Sequence, residues 1–353
     1  MTLQFSELAD LGWAPFFDTQ LDQDDLSATI PVRVMAVHRN SLSVQGLGLR
    51  QIVPPFTADP DDPETAATIG DWLLLDPQTS LPQRLLDRKS LFKRRAAGHA
   101  RKLQLIAANV DTLFIVTSCN QDFNVARLER YLGLAHEADV MPIIVITKAD
   151  LTDDPQDFVR RAAKLMPGLL VEVLDARDPD SVAVLAPWCA VGQTVALVGS
   201  SGVGKSTLVN TLTATNHIAT QGPRADDNKG RHTTTARALH RLPKGGWLLD
   251  TPGMRELQLT DVQSGLAEVF ADIVDLTQAC RFADCRHEVE PGCAVLAAVD
   301  AGVLDAARFK RWQKLVTEDA RNTETLTGRR ARERAFGKMV RGVIKDKRKR
   351  KRN

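Results

Sequence analysis

Residues 195–208, Val-Ala-Leu-Val-Gly-Ser-Ser-Gly-Val-Gly-Lys-Ser-Thr-Leu, constrain the fold of this chain more than any other stretch. An apolar run ends in Gly199, and Gly204, Lys205 and Ser206 follow at the G-x-x-x-x-G-K-S spacing. That pattern predicts strand, loop, helix. Gly199, Gly202 and Gly204 let the backbone turn sharply, so that the N–H groups of Ser200, Ser201, Val203 and their neighbours point inward at phosphate oxygens. Lys205 reaches the β- and γ-phosphates, the Ser206 hydroxyl ligates Mg²⁺, and Thr207 continues a helix whose positive N-terminal end faces the anion. The loop selects a nucleoside triphosphate without selecting the base.

The surrounding chain alternates strands and helices. Leu113-Phe-Ile-Val-Thr and Ile143-Ile-Val-Ile read as buried strands, each followed by a helical pattern, at residues 125–138 and 155–166. Further strands are expected at residues 169–173, at 195–198 and at Trp247-Leu-Leu. This is the signature of a doubly wound, mostly parallel sheet whose ligand loops lie at the carboxyl ends of its strands.

Two more of those loops carry chemistry. Thr147-Lys148-Ala149-Asp150 has the form of the guanine-reading N/T-K-x-D motif. A carboxylate at Asp150 accepts hydrogen bonds from guanine N1–H and the exocyclic amine, a donor pair that adenine lacks. Lys148 would lie along the base plane. Asp250-Thr-Pro-Gly253 is a D-x-x-G motif, in which Asp250 holds Mg²⁺ through water and the Gly253 N–H senses the γ-phosphate. Between the phosphate loop and this motif lies Gly230-Arg-His-Thr-Thr-Thr235, where Thr234, or alternatively Thr233, is expected to complete the Mg²⁺ shell. The order is unusual: the base-reading loop precedes the phosphate loop, so the Asp250–Gly253 switch ends the nucleotide domain and leads directly into a C-terminal domain.

Charge is unevenly spread on a chain of net charge +2. Residues 1–30 carry six acids and no Lys or Arg, whereas residues 321–353 carry fourteen Lys/Arg against three acids, pointing to a polyanionic partner or, less specifically, a solubilising tail. No apolar run approaches the 18 residues of a membrane span. Three of the five cysteines, Cys280, Cys285 and Cys293, cluster around His287 over fourteen residues, which suits a closed structural Zn²⁺ site in a reducing compartment. Cys119 and Cys189 stand apart and read as core residues.

Domain boundaries come from these shifts in pattern: an acidic N-terminal extension (1–29), a small β module of the oligonucleotide-binding (OB) barrel type (30–86), a basic linker (87–106), the nucleotide domain (107–258), a helical zinc-binding domain (259–327) and a basic tail (328–353).

Taken together the chain resembles the bacterial ribosome small-subunit-dependent GTPases of the RsgA/YjeQ type. The likeness spans Gly70-Asp-Trp72, Ala108-Asn-Val-Asp111, Thr147-Lys-Ala-Asp150, residues 199–207, Gly230-Arg-His-Thr-Thr-Thr235, Asp250-Thr-Pro-Gly253, the Cys280/Cys285/His287/Cys293 spacing and the basic end containing Phe336-Gly-Lys-Met. The family's Ser-Ala loop behind guanine is Asp175-Ala176 here. The resemblance implies an α/β P-loop GTPase, circularly permuted, with an OB-fold β-barrel before it and a helical zinc domain after it. It implies GTP/GDP with Mg²⁺, one structural Zn²⁺, the small ribosomal subunit and its rRNA as partners, and a cytoplasmic monomer that binds in the GTP state and leaves after hydrolysis. Because Met254 follows the D-x-x-G motif where many GTPases place glutamine, the resemblance makes His232 the candidate for orienting water. Slow turnover alone and stimulation by the subunit are expected. The rival is an RNA-binding assembly chaperone in which nucleotide only sets conformation.

Overall fold

The computed structural model describes residues 7–22, 25, 28–95, 103–214, 237–250 and 262–323. The chain begins with a short helix, α1 (Pro15–Asp18), followed by β1 (Ile30–Val37), β2 (Leu42–Gly46), β3 (Leu49–Val53), β4 (Trp72–Leu75) and β5 (Pro82–Leu85). These five strands pair antiparallel in the order β3-β2-β1-β4-β5 and enclose their own core of Val32, Val34, Val44, Val53, Leu73 and Leu75. Alternation builds this module: Val32 and Val34 point inward from β1, as do Leu42 and Val44 from β2.

Three segments differ from the reading of the sequence, one of them the unexpected strand at Arg237–Arg241. Residues 87–106, expected as a basic linker, contain β6 (Leu91–Arg95), which pairs antiparallel with β7 (Leu103–Ala108). The basic residues hide an alternation that buries Phe92 and Ile106, while Lys93 is spent on Glu64. The acidic N-terminal extension, read from the sequence as a unit of its own, packs into the fold. Leu8, Leu11, Trp13 and Phe17 are buried, and Trp13 meets Trp72 edge-on with ring centroids 4.7 Å apart. Fully burying such a side chain stabilises by about 1.5–3 kcal/mol, which outweighs the mild repulsion among surface acids.

The nucleotide domain supplies β8 (Thr112–Ser118), α2 (Val125–Glu137), β9 (Met141–Thr147), α3 (Pro155–Ala163), β10 (Leu170–Val173), α4 (Pro179–Val182), β11 (Thr194–Gly199), α5 (Lys205–Thr213), β12 (Arg237–Arg241) and β13 (Trp247–Asp250). Strands β10, β9, β8, β11 and β13 run parallel in that spatial order. All seven residues of β8 and all six of β11 are buried, as expected for strands covered on both faces. Strand β12 pairs antiparallel with β13 and, through Ala36↔Ala238 and Val37↔Arg237, with β1. One edge of β1 therefore serves two partners, β4 along Ile30 to Arg33 and β12 beyond a register shift near Met35. The β module and the parallel sheet form one continuous eleven-stranded sheet.

The chain closes with α6 (Gln263–Val269), α7 (Ala271–Gln278), α8 (Ala294–Asp300) and α9 (Ala306–Thr323). Their apolar faces join the same core as α2, through Leu266, Val269, Phe270, Ile273, Phe309 and Leu315. Among the described residues, no helix is long and apolar enough to cross a membrane.

Candidate functional site

Strand pairing brings three of the expected loops to the same end of neighbouring parallel strands. The loop from Gly199 to Gly204 leaves the carboxyl end of β11, and Thr147 ends β9 two strands away. Gly199, Gly202 and Gly204 all have positive φ, at 147°, 84° and 95°. At Gly199 space forbids a side chain as well, because an added Cβ would lie 2.2 Å from the Val116 carbonyl oxygen of β8. Val203 plugs the loop into the core beneath it. Ser206 and Thr207 lie in the first turn of α5, which Gly204 caps.

The Lys205 ammonium donates to the Gly199 carbonyl oxygen at 2.7 Å and also to that of Ser200. It thus bridges across the cradle that phosphates would enter. The Arg127 guanidinium of α2 donates to the Ser200 hydroxyl.

Thr147 connects the two nucleotide motifs. Fully buried, its hydroxyl lies 2.5 Å from the Val203 carbonyl oxygen and 3.1 Å from that of Thr117. Gly204 belongs to the same contact: a Cβ there would meet Thr147 Oγ1 at 3.2 Å. The base-reading loop and the phosphate loop, 56 residues apart in the chain, touch through one hydroxyl. After Thr147 the backbone turns through Lys148 at φ 58° into a one-turn 3₁₀ helix, Ala149–Leu151, which carries Asp150.

The third loop comes after β10, with the Leu174 N–H bonded to the Ile146 carbonyl oxygen of β9. Ala176 is buried and its carbonyl accepts from Thr211 of α5 at 2.7 Å. Asp175 lies beside Arg177, whose guanidinium donates to Asp175 Oδ2 at 2.8 Å and to Asp150 Oδ2 at 3.0 Å. Hydrogen bonds from the Arg177 side chain and backbone hold the Asp175 carboxyl below its ordinary range. The Asp150 carboxylate thus faces solvent with a cation beside it. The sequence reading missed Arg127 and Arg177; their only linear signal was proximity to Asn124 and to the Asp175-Ala176 pair.

The four zinc candidates also converge. Cys280, Cys285, His287 and Cys293 each offer a ligand atom, all within 4.8 Å of one another. His287 Nδ1 lies 3.4 Å from Cys293 Sγ and 3.6 Å from Cys280 Sγ, and the two sulfurs are 3.9 Å apart. A tetrahedron with Zn–S and Zn–N bonds of about 2.0–2.3 Å has edges of roughly 3.5–3.8 Å, so the set fits Zn²⁺. Glu290 knits the loop between His287 and Cys293. Its carboxylate accepts backbone N–H bonds from Arg286, Glu288 and Val289, which hold its pKa down to about 2. Cys119 and Cys189 are buried away from the cluster, and burial pushes the Cys189 thiol up to about 12.

Strand β13 brings Asp250 to the same end of the sheet as the phosphate loop. The Asp250 side chain, Gly253, Met254, His232, Thr233, Thr234 and the tail from residue 328 lie outside the described residues.

A family model described as RsgA GTPase matches residues 85–260. A small ribosomal subunit biogenesis GTPase RsgA 2 from Vibrio parahaemolyticus is 50% identical over 349 residues, covering 97% of this chain and 94% of its own. The chain belongs to the RsgA GTPase family. An RsgA from Mesorhizobium japonicum is 49% identical over 345 residues, 96% of this chain and 97% of its own. Two solved structures share the fold at 24% identity. YjeQ from Thermotoga maritima has a TM-score of 0.62 over 82% of this chain and 98% of its own. YloQ, described as a circularly permuted GTPase, has a TM-score of 0.56 over 84% and 97%. The RsgA fold therefore explains the inverted order of the motifs: the sheet needs its loops adjacent in space, and the strand order supplies that whichever loop is encoded first.

Proposed function

We propose that this RsgA-family chain is a GTPase of small-ribosomal-subunit biogenesis, which binds rRNA of the subunit in the GTP state and leaves after hydrolysis. The observation that carries the reading is the Thr147 hydroxyl bonded to the Val203 carbonyl oxygen, which joins a T-K-x-D loop directly to a phosphate loop.

In this reading Gly199, Ser200, Ser201, Gly202, Val203 and Gly204 cradle the phosphates with backbone N–H groups. Lys205 exchanges the carbonyl oxygens it now holds for the β- and γ-phosphates. Ser206, Thr234 and Asp250 would hold Mg²⁺, which when bound would supply charge neutralisation to the phosphate oxygens. Asp150 reads the guanine edge with Lys148 along the base, and Ala149, Asp175, Ala176 and Thr207 complete the pocket. Asp150 already has Arg177 as a counter-ion on Oδ2, so guanine must share that carboxylate or displace the arginine. Gly253 senses the γ-phosphate, and His232 orients the attacking water. The OB-type module and basic tail supply the RNA contacts, and Cys280, Cys285, His287 and Cys293 hold a structural Zn²⁺.

Turnover of GTP by the full chain, alone and with purified small subunits, tests this directly. Stimulation by subunits, no hydrolysis of ATP, and a shift toward xanthosine triphosphate in Asp150→Asn are expected. Equal rates with and without subunits would discard activation by the ribosome; an unchanged stimulated rate in His232→Ala would discard the histidine.

A further inference from the structure

We propose that Arg127 is a catalytic arginine supplied from within the chain, which binds the charge that develops on the γ-phosphoryl oxygens during hydrolysis. The proposal rests on the GTPase reading above and adds a residue to it.

The geometry begins with α2. Asn124 caps this helix, its side-chain oxygen accepting from the backbone N–H of Arg127 at 3.0 Å. The loop before it is tied down as well: the Asn120 side-chain oxygen accepts from the Ser118 hydroxyl at 2.8 Å and from the Asp122 N–H at 2.9 Å. Arg127 therefore projects from the fixed first turn of α2, the helix that follows β8, and β8 pairs with β11 along Val195 to Gly199. Its guanidinium reaches the Ser200 hydroxyl, while Lys205 holds the Ser200 carbonyl oxygen. Two cations from different elements converge on one residue of the phosphate loop.

What Arg127 does not do is equally informative. Among the described residues no carboxylate pairs with it, whereas its helix neighbour Arg130 is bonded to Glu318 at 2.6 Å. A half-buried arginine whose partner is a neutral hydroxyl has donors left for an anion, and its planar fork suits phosphoryl oxygens. The chemistry calls for such a group. Water oxygen bonds to the γ-phosphorus, the bond to the β–γ bridging oxygen breaks, and that electron pair leaves on GDP. The water protons pass to phosphate and solvent. Arg127 transfers no proton; it donates hydrogen bonds to oxygens that gain negative charge.

The same helix is gripped further along by the C-terminal helices. Glu129 accepts from Arg311 at 2.7 Å and Arg308 at 3.3 Å. Glu137 Oε2 accepts from the Ser264 hydroxyl at 2.7 Å. Movement of the zinc-bearing domain on a partner would thus move the helix that aims Arg127.

The test uses full-length protein with small subunits present. Arg127→Ala is expected to lower kcat by on the order of 10³-fold while affinity for a non-hydrolysable GTP analogue stays within about threefold. Wild type is expected to capture GDP with aluminium fluoride, a mimic of the transferring phosphoryl group, and Arg127→Ala to lose that capture. Arg127→Lys, which keeps charge without the fork, should recover part of the rate. Thermal stabilisation by the GTP analogue, equal in both proteins, shows that the variant is folded. Unchanged kcat and unchanged capture would overturn the proposal. So would a loss of analogue affinity as large as the loss of rate, since that marks ground-state binding. If wild type itself neither binds nor turns over GTP, the GTPase reading fails first, and Lys205→Ala, expected to lose GTP binding, shows which case holds.

Discussion

The nucleotide sheet meets its two flanking regions in opposite ways. On the N-terminal side Arg33 is fully buried, and its guanidinium donates to the carbonyl oxygens of Leu11 (2.6 Å), Asn109 (3.2 Å) and Gly70 (3.4 Å) and to the Thr194 hydroxyl (2.8 Å). One cation thus ties together the N-terminal segment, the β module, the end of the β6–β7 hairpin and the phosphate-loop strand. Burial lowers its pKa to about 10, so it remains charged at neutral pH. On the C-terminal side the buried charge is Glu129, held by two arginines that reach over from α9. Here helix packs on helix at a glycine crossing: a Cβ on Gly265 would lie 2.1 Å from the Gly133 carbonyl oxygen. The N-terminal joint is strand pairing with a cation locked among three backbone carbonyls and a hydroxyl. The C-terminal joint is helix packing, a shared apolar core through Leu266, Val269, Phe270 and Ile273 with ion pairs and a close glycine contact beside it, and no strand ladder crosses it among the described residues. Strand pairing makes the N-terminal joint the rigid one, and helix packing without a main-chain ladder makes the C-terminal joint the more yielding one.

The metal offers the strongest test of that contrast. Structural zinc is worth on the order of 10 kcal/mol to a small domain. Chelation, or Cys293→Ser, should therefore remove hydrogen-exchange protection from α7 and α8 while β1 and β12 stay protected. Simultaneous loss at both ends would show that the two joints melt as one.

Arg33→Leu attacks the rigid joint. It leaves several buried acceptors without a donor and should cost roughly 3–5 kcal/mol, read as a lower urea midpoint for the whole protein. A loss confined to the N-terminal segment would make Arg33 a local tether only. Gly265→Ala attacks the yielding joint; forcing a methyl against the Gly133 carbonyl should cost about 1–3 kcal/mol and expose α9 to protease without changing GTP affinity.

The smallest effect is in pH. Burial raises the Glu129 carboxyl above the ordinary glutamate range despite its arginines. Folding therefore favours the protonated form. The associated stability is fully present below the unfolded pKa and is lost as pH rises through the raised folded value. Melting of wild type against Glu129→Gln between about pH 4 and 8 should show wild type losing ground as pH rises; a constant gap would mean that Glu129 does not titrate in this window.

Legibility in the sequence tracked how local the information was. The phosphate loop, the Thr147–Asp150 loop and the cysteine cluster were readable because each needs particular residues at fixed short spacings. The hairpin at Leu91–Arg95 and Leu103–Ala108 was hidden because charged residues share its strands with Phe92 and Ile106. The strand Arg237–Arg241 was missed for a similar reason, with Leu239 its main buried apolar side chain. The packing of the N-terminal segment was not legible because its acids dominate the composition, whereas burial of Trp13 and Phe17 decides its place.

Residue spacing alone pointed to a phosphate loop, a T-K-x-D loop and a cysteine–histidine ligand set, since each of these is built from residues close together in the chain. Tertiary structure alone decided that Arg33 meets Thr194 across 161 residues, Arg127 meets Ser200 across 73, and Glu129 meets Arg311 across 182. The reason is physical: a buried charge or a close glycine contact is defined by the atoms that surround it, and those atoms are contributed by strands and helices whose neighbours are set by sheet order and core packing.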